Sequence, residues 1–165
     1  MARTPRWEPA YCEFFAARRR SYLRTAYAML GSWTAAEDAA QQTFTALYAR
    51  GPRIAAGQVE AYGRRVLVNT CIAVYRHRGR EVPRAELPEV GVWEEHDQRL
   101  AVLSALADLS ARDRAVLALR FLEDLSVAEV AAALGLPEGT VKSRTSRALA
   151  RLQQELDTTR KEPTS

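Results

Sequence analysis

The segment from Ser126 to Leu152 constrains the fold more than any other part of the chain. Ser126-Val127-Ala128-Glu129 reads as a capping box, in which the Ser hydroxyl and the Glu carboxylate satisfy free amides of a first helical turn. The short Ala-rich helix that follows ends at Gly135, a residue suited to the left-handed position after a helix. Pro137 fits the start of a longer helix, which runs to about Asp157. A short helix, a tight turn and a longer helix together predict a helix-turn-helix.

The longer helix has an apolar side and a polar side when it is plotted at about 100° per residue. The apolar side consists of Val141, Ala148, Leu149, Leu152 and Leu156. The polar stripe consists of Thr140, Ser143, Arg144, Arg147 and Arg151, with Lys142 on its flank. Arg can bond guanine edges with two hydrogen bonds in a major groove, and Ser, Thr and Lys can bond bases or phosphates. The free amides near Gly139 and Thr140 suit a phosphate as well. The stripe therefore predicts a DNA-reading helix, and its alternative is an ordinary solvated face.

Three further helices are predicted in the first half of the chain. Apolar residues recur at three- and four-residue steps over residues 9–30, and Gly31-Ser32 ends that helix. Thr34-Ala35-Ala36-Glu37 predicts a capping box for a second helix over about 35–50, which Gly51-Pro52 ends. A third helical stretch covers about 58–78.

The middle of the chain breaks this periodicity. Pro and Gly residues in 79–93 predict a linker, a helical pattern resumes at about 94–109, and Ser110 signals the start of another helix. The polar tail from Thr158 to Ser165 is expected to be disordered. No strand pattern is present in the sequence, so we predict an all-α protein of two small helical domains joined by a flexible linker. The expected boundaries are 9–80, 81–96 for the linker, 97–157 and 158–165 for the tail, and each domain is near the lower size limit for an independent core.

Charge is distributed unevenly along the chain. The net charge of +4 divides into +8 over residues 1–80, −5 over 81–110 and +1 over 111–165. A basic block followed by an acidic bridge points to nucleic acid or an acidic surface as partner. In the third helix a stripe of Arg65, Asn69, Ala73 and Arg76 is interleaved with Tyr62 and Tyr75. Cations, amides and rings in this mixture suit opened DNA, although a basic helix end can also simply complement its own dipole.

Several classes of function and location are disfavoured by the sequence. The sequence contains no paired carboxylates, Gly-rich phosphate loop or nucleophile motif that would indicate an enzyme. No cofactor is expected. Cys12 and Cys71 are far apart and are expected to be reduced and buried, with no clustered metal ligands. No signal-peptide or membrane-spanning run is visible, so we expect a cytoplasmic protein with no membrane partner.

Four motifs in fixed order resemble those of a known family. They are Ala36-Glu37-Asp38-Ala39-Ala40-Gln41-Gln42-Thr43-Phe44, Arg64-Arg65-Val66-Leu67-Val68-Asn69-Thr70, Glu81-Val82-Pro83 with Glu86-Leu87-Pro88, and Gly139-Thr140-Val141-Lys142-Ser143-Arg144 followed by Ser146-Arg147-Ala148-Leu149. Over about residues 10–155 the chain is similar to bacterial RNA polymerase sigma factors of the extracytoplasmic-function (ECF) group, above all to the SigE-like actinobacterial subgroup.

The resemblance implies a promoter-specificity subunit with two domains, sigma-2 and sigma-4. Its partners would be promoter DNA and core RNA polymerase, including the clamp helices of the largest subunit and the flap of the second subunit. The resemblance places polymerase docking on Glu37, Asp38, Gln41 and Gln42. It places −10 recognition and melting on Arg64, Arg65, Asn69, Arg76 and Arg78. It places −35 recognition on Thr140, Lys142, Ser143, Arg144 and Arg147. The acidic linker would run along the RNA-exit region, and the protein would be associated with the nucleoid.

Some positions depart from the family pattern, and some alternatives stay open. Ala73 stands where many relatives have Asp, the segment Val74–Arg78 replaces a run of Trp and Arg, and Thr145 stands where Leu is usual. Whether a separate anti-sigma factor binds the chain is left open by the resemblance. The alternative function is a stand-alone helix-turn-helix regulator that binds duplex DNA without polymerase.

Overall fold

The computed structural model describes residues 5–54, 57–78 and 109–161. These residues form helices and contain no strand, which confirms the predicted all-α class. Six α-helices follow one another in the described ranges, with a short 3-10 turn at Gly51–Arg53 after the second. They are α1 (Glu8–Leu30), α2 (Trp33–Arg50), α3 (Val59–Arg78), α4 (Ala111–Phe121), α5 (Val127–Leu134) and α6 (Glu138–Lys161). The predicted linker and the helical stretch before Leu109 lie outside the described residues.

The helix-turn-helix has the local geometry that its sequence predicts. Ser126 Oγ accepts from the Glu129 amide at 3.2 Å, and the Glu129 carboxylate accepts from the Ser126 amide at 2.8 Å, so the capping box is complete. These hydrogen bonds hold the pKa of the Glu129 carboxyl below its ordinary value, and the one from the Ser126 backbone has the larger effect. Gly135 ends α5 in the left-handed region at φ 63°. Ser110 caps α4 through a single hydrogen bond, because its Oγ accepts from the Asp113 amide.

The predicted capping box at Thr34 is wrong. Helix α2 begins at Trp33, and its N-cap is Ser32, whose Oγ accepts from the Ala35 amide at 3.3 Å. Gly31 adopts φ 66° at the end of α1, so the chain turns at once and Ser32 is the first residue with extended backbone. The turn between α1 and α2 is therefore two residues shorter than predicted, and Thr34 lies on an exposed part of α2.

Two other expectations need correction. Helix α6 continues to Lys161, so the backbone stays helical beyond the predicted end at Asp157. Polar residues such as Thr158 weaken a helix without preventing the continuation of one that is already formed. Cys71 is free and buried as expected, and burial raises the pKa of its thiol to about 12, but the free Cys12 is exposed on α1.

The two predicted domains pack against each other in the described chain. Helices α1, α2 and α3 form an N-terminal bundle around large side chains such as Tyr22, Met29 and Leu47, and α4, α5 and α6 form the C-terminal bundle. Helix α4 contacts α1 and α3, and α5 contacts α3. Buried residues of the two bundles therefore form one continuous apolar cluster, as expected if neither bundle is large enough for a sizeable core of its own.

Candidate nucleic-acid interface

The predicted reading helix α6 is anchored by small apolar side chains. Val141 and Ala148 are fully buried against the rest of the C-terminal bundle. Lys142, Ser143 and Arg147 are exposed on the other side of the helix, as the wheel predicts. The Ser143 hydroxyl donates to the Thr140 carbonyl at 3.1 Å, and Thr140 is half-buried. The helix therefore presents cationic and hydroxyl groups to solvent in the pattern that a major groove accepts.

Arg144 does not lie on the solvent side with the rest of the predicted stripe. Its Nη1 is 2.6 Å from Asp113 Oδ1 at the first turn of α4, and both side chains are about a quarter exposed. Arg144 comes three positions after Val141, which is only about 60° around the helix from that buried residue. Asp113 is a residue that the sequence prediction missed, because nothing local pairs two positions 31 residues apart. The sequence feature that could have drawn attention to Asp113 was its position in the first turn of the helix that Ser110 caps.

Leu149 also departs from the wheel prediction. It was placed on the apolar side, yet its side chain is 40% exposed. Eight positions after Val141, it lies about 80° around the helix from that buried residue. Thr145, half-buried, donates its hydroxyl to the Val141 carbonyl at 2.7 Å, which satisfies the polar atom that replaces an apolar residue here.

The basic residues of α3 are partly committed to contacts within the chain. Arg65 Nη2 donates to the Ala132 carbonyl of α5 at 3.2 Å. Arg64 Nη2 lies 3.6 Å from the Glu60 carboxylate one turn earlier. Asn69, Arg76 and Arg78 are exposed. The structure therefore leaves the second half of the predicted stripe free, while its first half faces the C-terminal bundle.

The two tyrosines of α3 are also in use. The Tyr75 hydroxyl donates to the Leu109 carbonyl at 3.1 Å, and the Arg114 guanidinium carbon lies 5.9 Å from the ring centre. Tyr62 is half-buried, with the Arg50 guanidinium 5.9 Å from its ring centre. Neither ring lies open as a platform for bases in this arrangement.

A cleft of about 590 Å³ lies between α3 and α5. Its walls combine four arginines with apolar side chains and one carboxylate. The lining includes Arg50, Arg53, Arg64, Arg65, Tyr62, Leu125, Glu129 and Ala132. The cleft is therefore cationic on the side of the N-terminal bundle and more apolar on the side of α5.

The polar face of α2 is fully open. Glu37, Asp38, Gln41 and Gln42 are all exposed. A shallow groove runs along this face and is lined by Asp38, Gln41, Gln42, Thr45, Ala46 and Ala49. Small residues pack the opposite side of the helix against the bundle, where Ala35, Ala36, Ala39 and Ala40 are buried. The face offers carboxylates and amides at spacings of three and four residues, which suits a protein partner that brings cations and amides.

Within the described residues, no helix is long and apolar enough to cross a membrane.

Three polar faces define the candidate site: one on α2, one on α3 and one on α6. The structure brings the α3 face to the C-terminal bundle through Arg65 and ties the α6 face to α4 through Arg144.

Two family descriptions match the chain in consecutive order. Sigma-70 region 2 matches residues 14–81, which include α2 and α3. Sigma-70 region 4 matches residues 105–154, which include α4, α5 and most of α6. The boundary between the two matches coincides with the boundary between the two helical bundles.

Curated relatives that are named RNA polymerase sigma factors are similar to most of this chain. The chain is 38% identical over 151 residues to an RNA polymerase sigma-E factor of Streptomyces antibioticus, a match that spans 88% of this chain and 84% of the relative. It is 29% identical over 161 residues to the ECF RNA polymerase sigma factor SigE of Mycolicibacterium smegmatis, covering 90% of this chain and 62% of the relative.

Two solved structures are similar in fold. One is the sigma factor RpoE of Bartonella quintana in complex with the anti-sigma factor NepR, at 28% identity and a TM-score of 0.67, covering 88% of this chain and 97% of the other. CnrH in complex with the cytosolic domain of CnrY has a TM-score of 0.71 at 24% identity, covering 92% and 90% of the two chains, and shows the fold alone.

Proposed function

Because the chain belongs to the sigma-70 family of RNA polymerase sigma factors, in its extracytoplasmic-function group, we propose how its surfaces divide the work of a promoter-specificity subunit. The resemblance seen in the sequence is thereby confirmed. The protein binds core RNA polymerase and directs transcription initiation at promoter DNA. The observation that carries this function is the presence of regions 2 and 4 in order over most of the chain.

Polymerase docking is proposed for the open face of α2. Glu37, Asp38, Gln41 and Gln42 are exposed and adjacent to a groove, so they are available to a partner without any rearrangement. An exposed polar face supplies directional contacts and charge complementarity more than apolar area. The clamp helices of the largest subunit are the proposed partner, with the flap of the second subunit as the proposed partner of the C-terminal bundle.

Promoter recognition is proposed for α3 and α6. Asn69 on α3 would bond an unstacked base of the −10 element, while Arg64, Arg65, Arg76 and Arg78 would hold the backbone phosphates of the opening duplex. On α6, Thr140, Lys142, Ser143, Arg144 and Arg147 would contact the −35 element in the major groove. The ion pair with Asp113 holds the Arg144 guanidinium at the edge of that face, which gives the side chain a defined starting position.

An anti-sigma factor is a further partner that we infer for this chain. The structural relative from Bartonella quintana is a sigma factor solved with such a protein. The open α2 face is a surface that an anti-sigma factor could cover in competition with polymerase. We place the work of the protein in the cytoplasm at the nucleoid, where promoter DNA and polymerase are found.

The test is run-off transcription with purified core polymerase from a Streptomyces species and a DNA library with randomised −35 and −10 elements. We expect transcripts that require the protein and that share one pair of elements. A protein that shifts duplex DNA alone but gives no promoter-dependent transcript would instead be a stand-alone helix-turn-helix regulator. That second function is less favoured, because such a regulator needs neither the open α2 face nor the basic, Asn-bearing α3.

A further inference from the structure

The cleft between α3 and α5 contains two arginines that the proposed polymerase and DNA surfaces do not use. Arg50 is the last residue of α2, and Arg53 is the last residue of the 3-10 turn that follows. Both are exposed, and they line the cleft together with Arg64 and Arg65 of α3. Four guanidinium groups from three consecutive elements therefore surround one cavity of about 590 Å³.

Two of these guanidinium groups meet no anion within the described part of the chain. Arg53 forms neither a hydrogen bond nor an ion pair with another described residue. The guanidinium carbon of Arg50 lies 5.9 Å from the ring centre of Tyr62. A cation–π contact of this kind attracts the guanidinium to the ring but does not neutralise its charge.

The other two guanidinium groups are only partly compensated. Arg65 Nη2 donates to a neutral acceptor, the Ala132 carbonyl, at 3.2 Å. Arg64 Nη2 lies 3.6 Å from the Glu60 carboxylate, and that carboxylate also pairs with Arg18 of α1. Because one carboxylate serves two arginines, Arg64 keeps part of its positive charge for a further partner.

Glu129 is the only carboxylate among the described residues that line the cleft. It accepts from the Ser126 amide at 2.8 Å as part of the α5 capping box. The hydrogen bonds with Ser126 lower the pKa of the Glu129 carboxyl most, and the charge of Arg64 lowers it further. Glu129 is thus ionised at neutral pH and engaged by the cap. Four arginines against one carboxylate leave the lining strongly cationic.

The wall of the cleft opposite the arginines is apolar. Leu125 is buried there, and α5 contributes the methyl groups of Ala132 and Ala133. Pockets for small-molecule ligands have volumes of roughly 300–1,000 Å³, combine apolar walls with a few polar groups, and are often formed where two domains meet. The cleft has these properties, and it suits a molecule with several negative charges at one end and an aromatic body at the other.

We propose that this cleft binds a nucleoside polyphosphate, with its phosphates on the arginines and its base against the α5 wall. The planar guanidinium group of arginine forms two parallel hydrogen bonds to a phosphate. Two or three linked phosphates engage more than one guanidinium at a time. The base covers the methyl groups of Ala132 and Ala133, so each end of the ligand meets a wall of matching chemistry.

Binding at the cleft has a consequence for promoter use, because Arg64 and Arg65 are also proposed to hold the −10 DNA. A nucleotide that occupies these two arginines withholds them from DNA phosphates. By linkage, the nucleotide and the promoter each lower the affinity of the chain for the other. This consequence rests on the proposed function of α3, whereas binding of the nucleotide to the free chain does not.

The first test is equilibrium dialysis of the full-length chain with radiolabelled ADP or GDP in about 0.1 M salt, where distant charges are screened. We expect saturable binding of one nucleotide per chain. Arg50→Gln and Arg53→Gln should each weaken it about tenfold, because each removes a charged hydrogen-bond donor. Arg19→Gln, an equal charge change at an exposed site on α1, is the control and should leave the affinity unchanged.

A variant on the opposite wall tests the position of the base. Ala132→Glu places a carboxylate in the cleft and should abolish detectable binding. Ala128→Glu makes the same change at an exposed position of α5 outside the lining, and we expect it to bind as the wild type does. Circular dichroism checks that each variant keeps native helicity.

Two partial ligands show which parts of the nucleotide are recognised. Pyrophosphate carries the linked phosphates without the base, and adenosine carries the base without the phosphates. We expect each to compete with ADP at least about tenfold more weakly than ADP itself, because each fills only one wall of the cleft. Pyrophosphate that competes as well as ADP would reveal a simple anion site and would overturn the assignment to nucleotides.

Transcription tests the regulatory consequence, and ADP suits this test because RNA synthesis consumes triphosphates. Added ADP should reduce run-off transcription directed by the wild-type chain. It should not reduce transcription directed by the Arg50→Gln, Arg53→Gln double variant. Without ADP the double variant should be as active as the wild type, since neither arginine belongs to a proposed DNA or polymerase surface.

Three results would overturn the proposal. The first is absence of saturable ADP and GDP binding, and the second is unchanged affinity in both arginine variants. The third is loss of promoter use by the double variant without ADP, which would assign Arg50 and Arg53 to DNA instead. Dialysis uses no polymerase, so a chain that binds ADP but directs no transcription would count against the proposed function and not against this site.

Discussion

The face of α2 and the face of α6 are both polar sides of amphipathic helices, yet the chain prepares them differently. On α2 the four predicted docking residues are exposed beside an open groove. On α6 one predicted reader, Arg144, is held by Asp113 at 2.6 Å and is only about a quarter exposed. The α2 face is thus open from the start, whereas part of the α6 face is positioned by another helix.

This difference indicates how the α2 face can select a protein partner and how the α6 face can select a DNA sequence. A protein partner with its own ordered side chains can fit an exposed face such as that of α2, and charge complementarity then guides encounter. Base reading depends on where a guanidinium points, and a second residue that fixes its direction reduces the entropy lost on binding. The same difference separates the mutations that should abolish polymerase binding from those that should alter sequence preference.

The largest effect is expected for Asp38→Arg on the α2 face. Reversing an exposed charge at the centre of the docking face should weaken binding of core polymerase by about 2–5 kcal/mol. The free energy of unfolding should change by no more than about 0.5 kcal/mol, because the side chain is on the surface. Fluorescence anisotropy of labelled protein titrated with core measures the affinity, and urea unfolding measures the stability. Glu13→Arg, an equal charge change at an exposed site on α1, is the control, and normal binding by folded Asp38→Arg would contradict the docking assignment.

The next effect concerns Arg144 and Asp113. Arg144→Ala should weaken use of the −35 element by about 1–3 kcal/mol if the guanidinium makes two hydrogen bonds to a base. Asp113→Ala should lose part of the same preference and add little to Arg144→Ala, because both changes remove one positioned side chain. Transcription from promoters with single −35 substitutions gives the preference of each variant and of the double variant. Additive losses would mean that Asp113 acts independently of Arg144, and an unchanged base preference in Arg144→Ala would remove that residue from the reading set.

Two glycines test the packing behind the faces. A Cβ at Gly63 in α3 would lie 2.3 Å from the hydroxyl oxygen of Tyr22, whose side chain is fully buried. A Cβ at Gly139 in α6 would meet nothing within 4 Å. Gly63→Ala should therefore lower the free energy of unfolding by about 1–3 kcal/mol despite the better helix propensity of Ala. Gly139→Ala should raise it by up to about 1 kcal/mol. Urea denaturation of both variants gives the two signs, and the same sign for both would refute the close approach of α3 to α1.

The smallest expected effect separates two neighbouring hydroxyl residues at the start of α2. Ser32→Ala should cost about 1 kcal/mol of stability, because the Ser32 oxygen accepts from the Ala35 amide. Thr34→Ala should change stability by less than about 0.5 kcal/mol, since that side chain is exposed and lies beyond the cap. Thermal unfolding of the pair measures the difference. A larger cost at Thr34 would restore the capping box that the sequence alone predicts.

Sequence reasoning succeeded where the interactions are local. The caps at Ser110 and Ser126 and the left-handed Gly135 each depend on groups within four positions along the chain. It misplaced the cap at Thr34 because Glu37 stands three positions after Thr34, as a capping box requires. Ser32 has Ala35 at that spacing, and only the turn at Gly31 selects Ser32 as the cap. It placed Arg144 in solvent because a single-helix wheel does not contain α4, the helix that supplies Asp113.

The order of helices, the helix-turn-helix and the polar faces of α2 and α6 were determined by the sequence, because helix periodicity and capping are short-range. The tertiary structure alone decided that Arg144 pairs with Asp113, that Arg65 bonds Ala132, and that Arg114 is buried under Tyr75. The first two contacts join positions 31 and 67 residues apart, so they exist only once separate helices pack. The same packing joins two small bundles into one core.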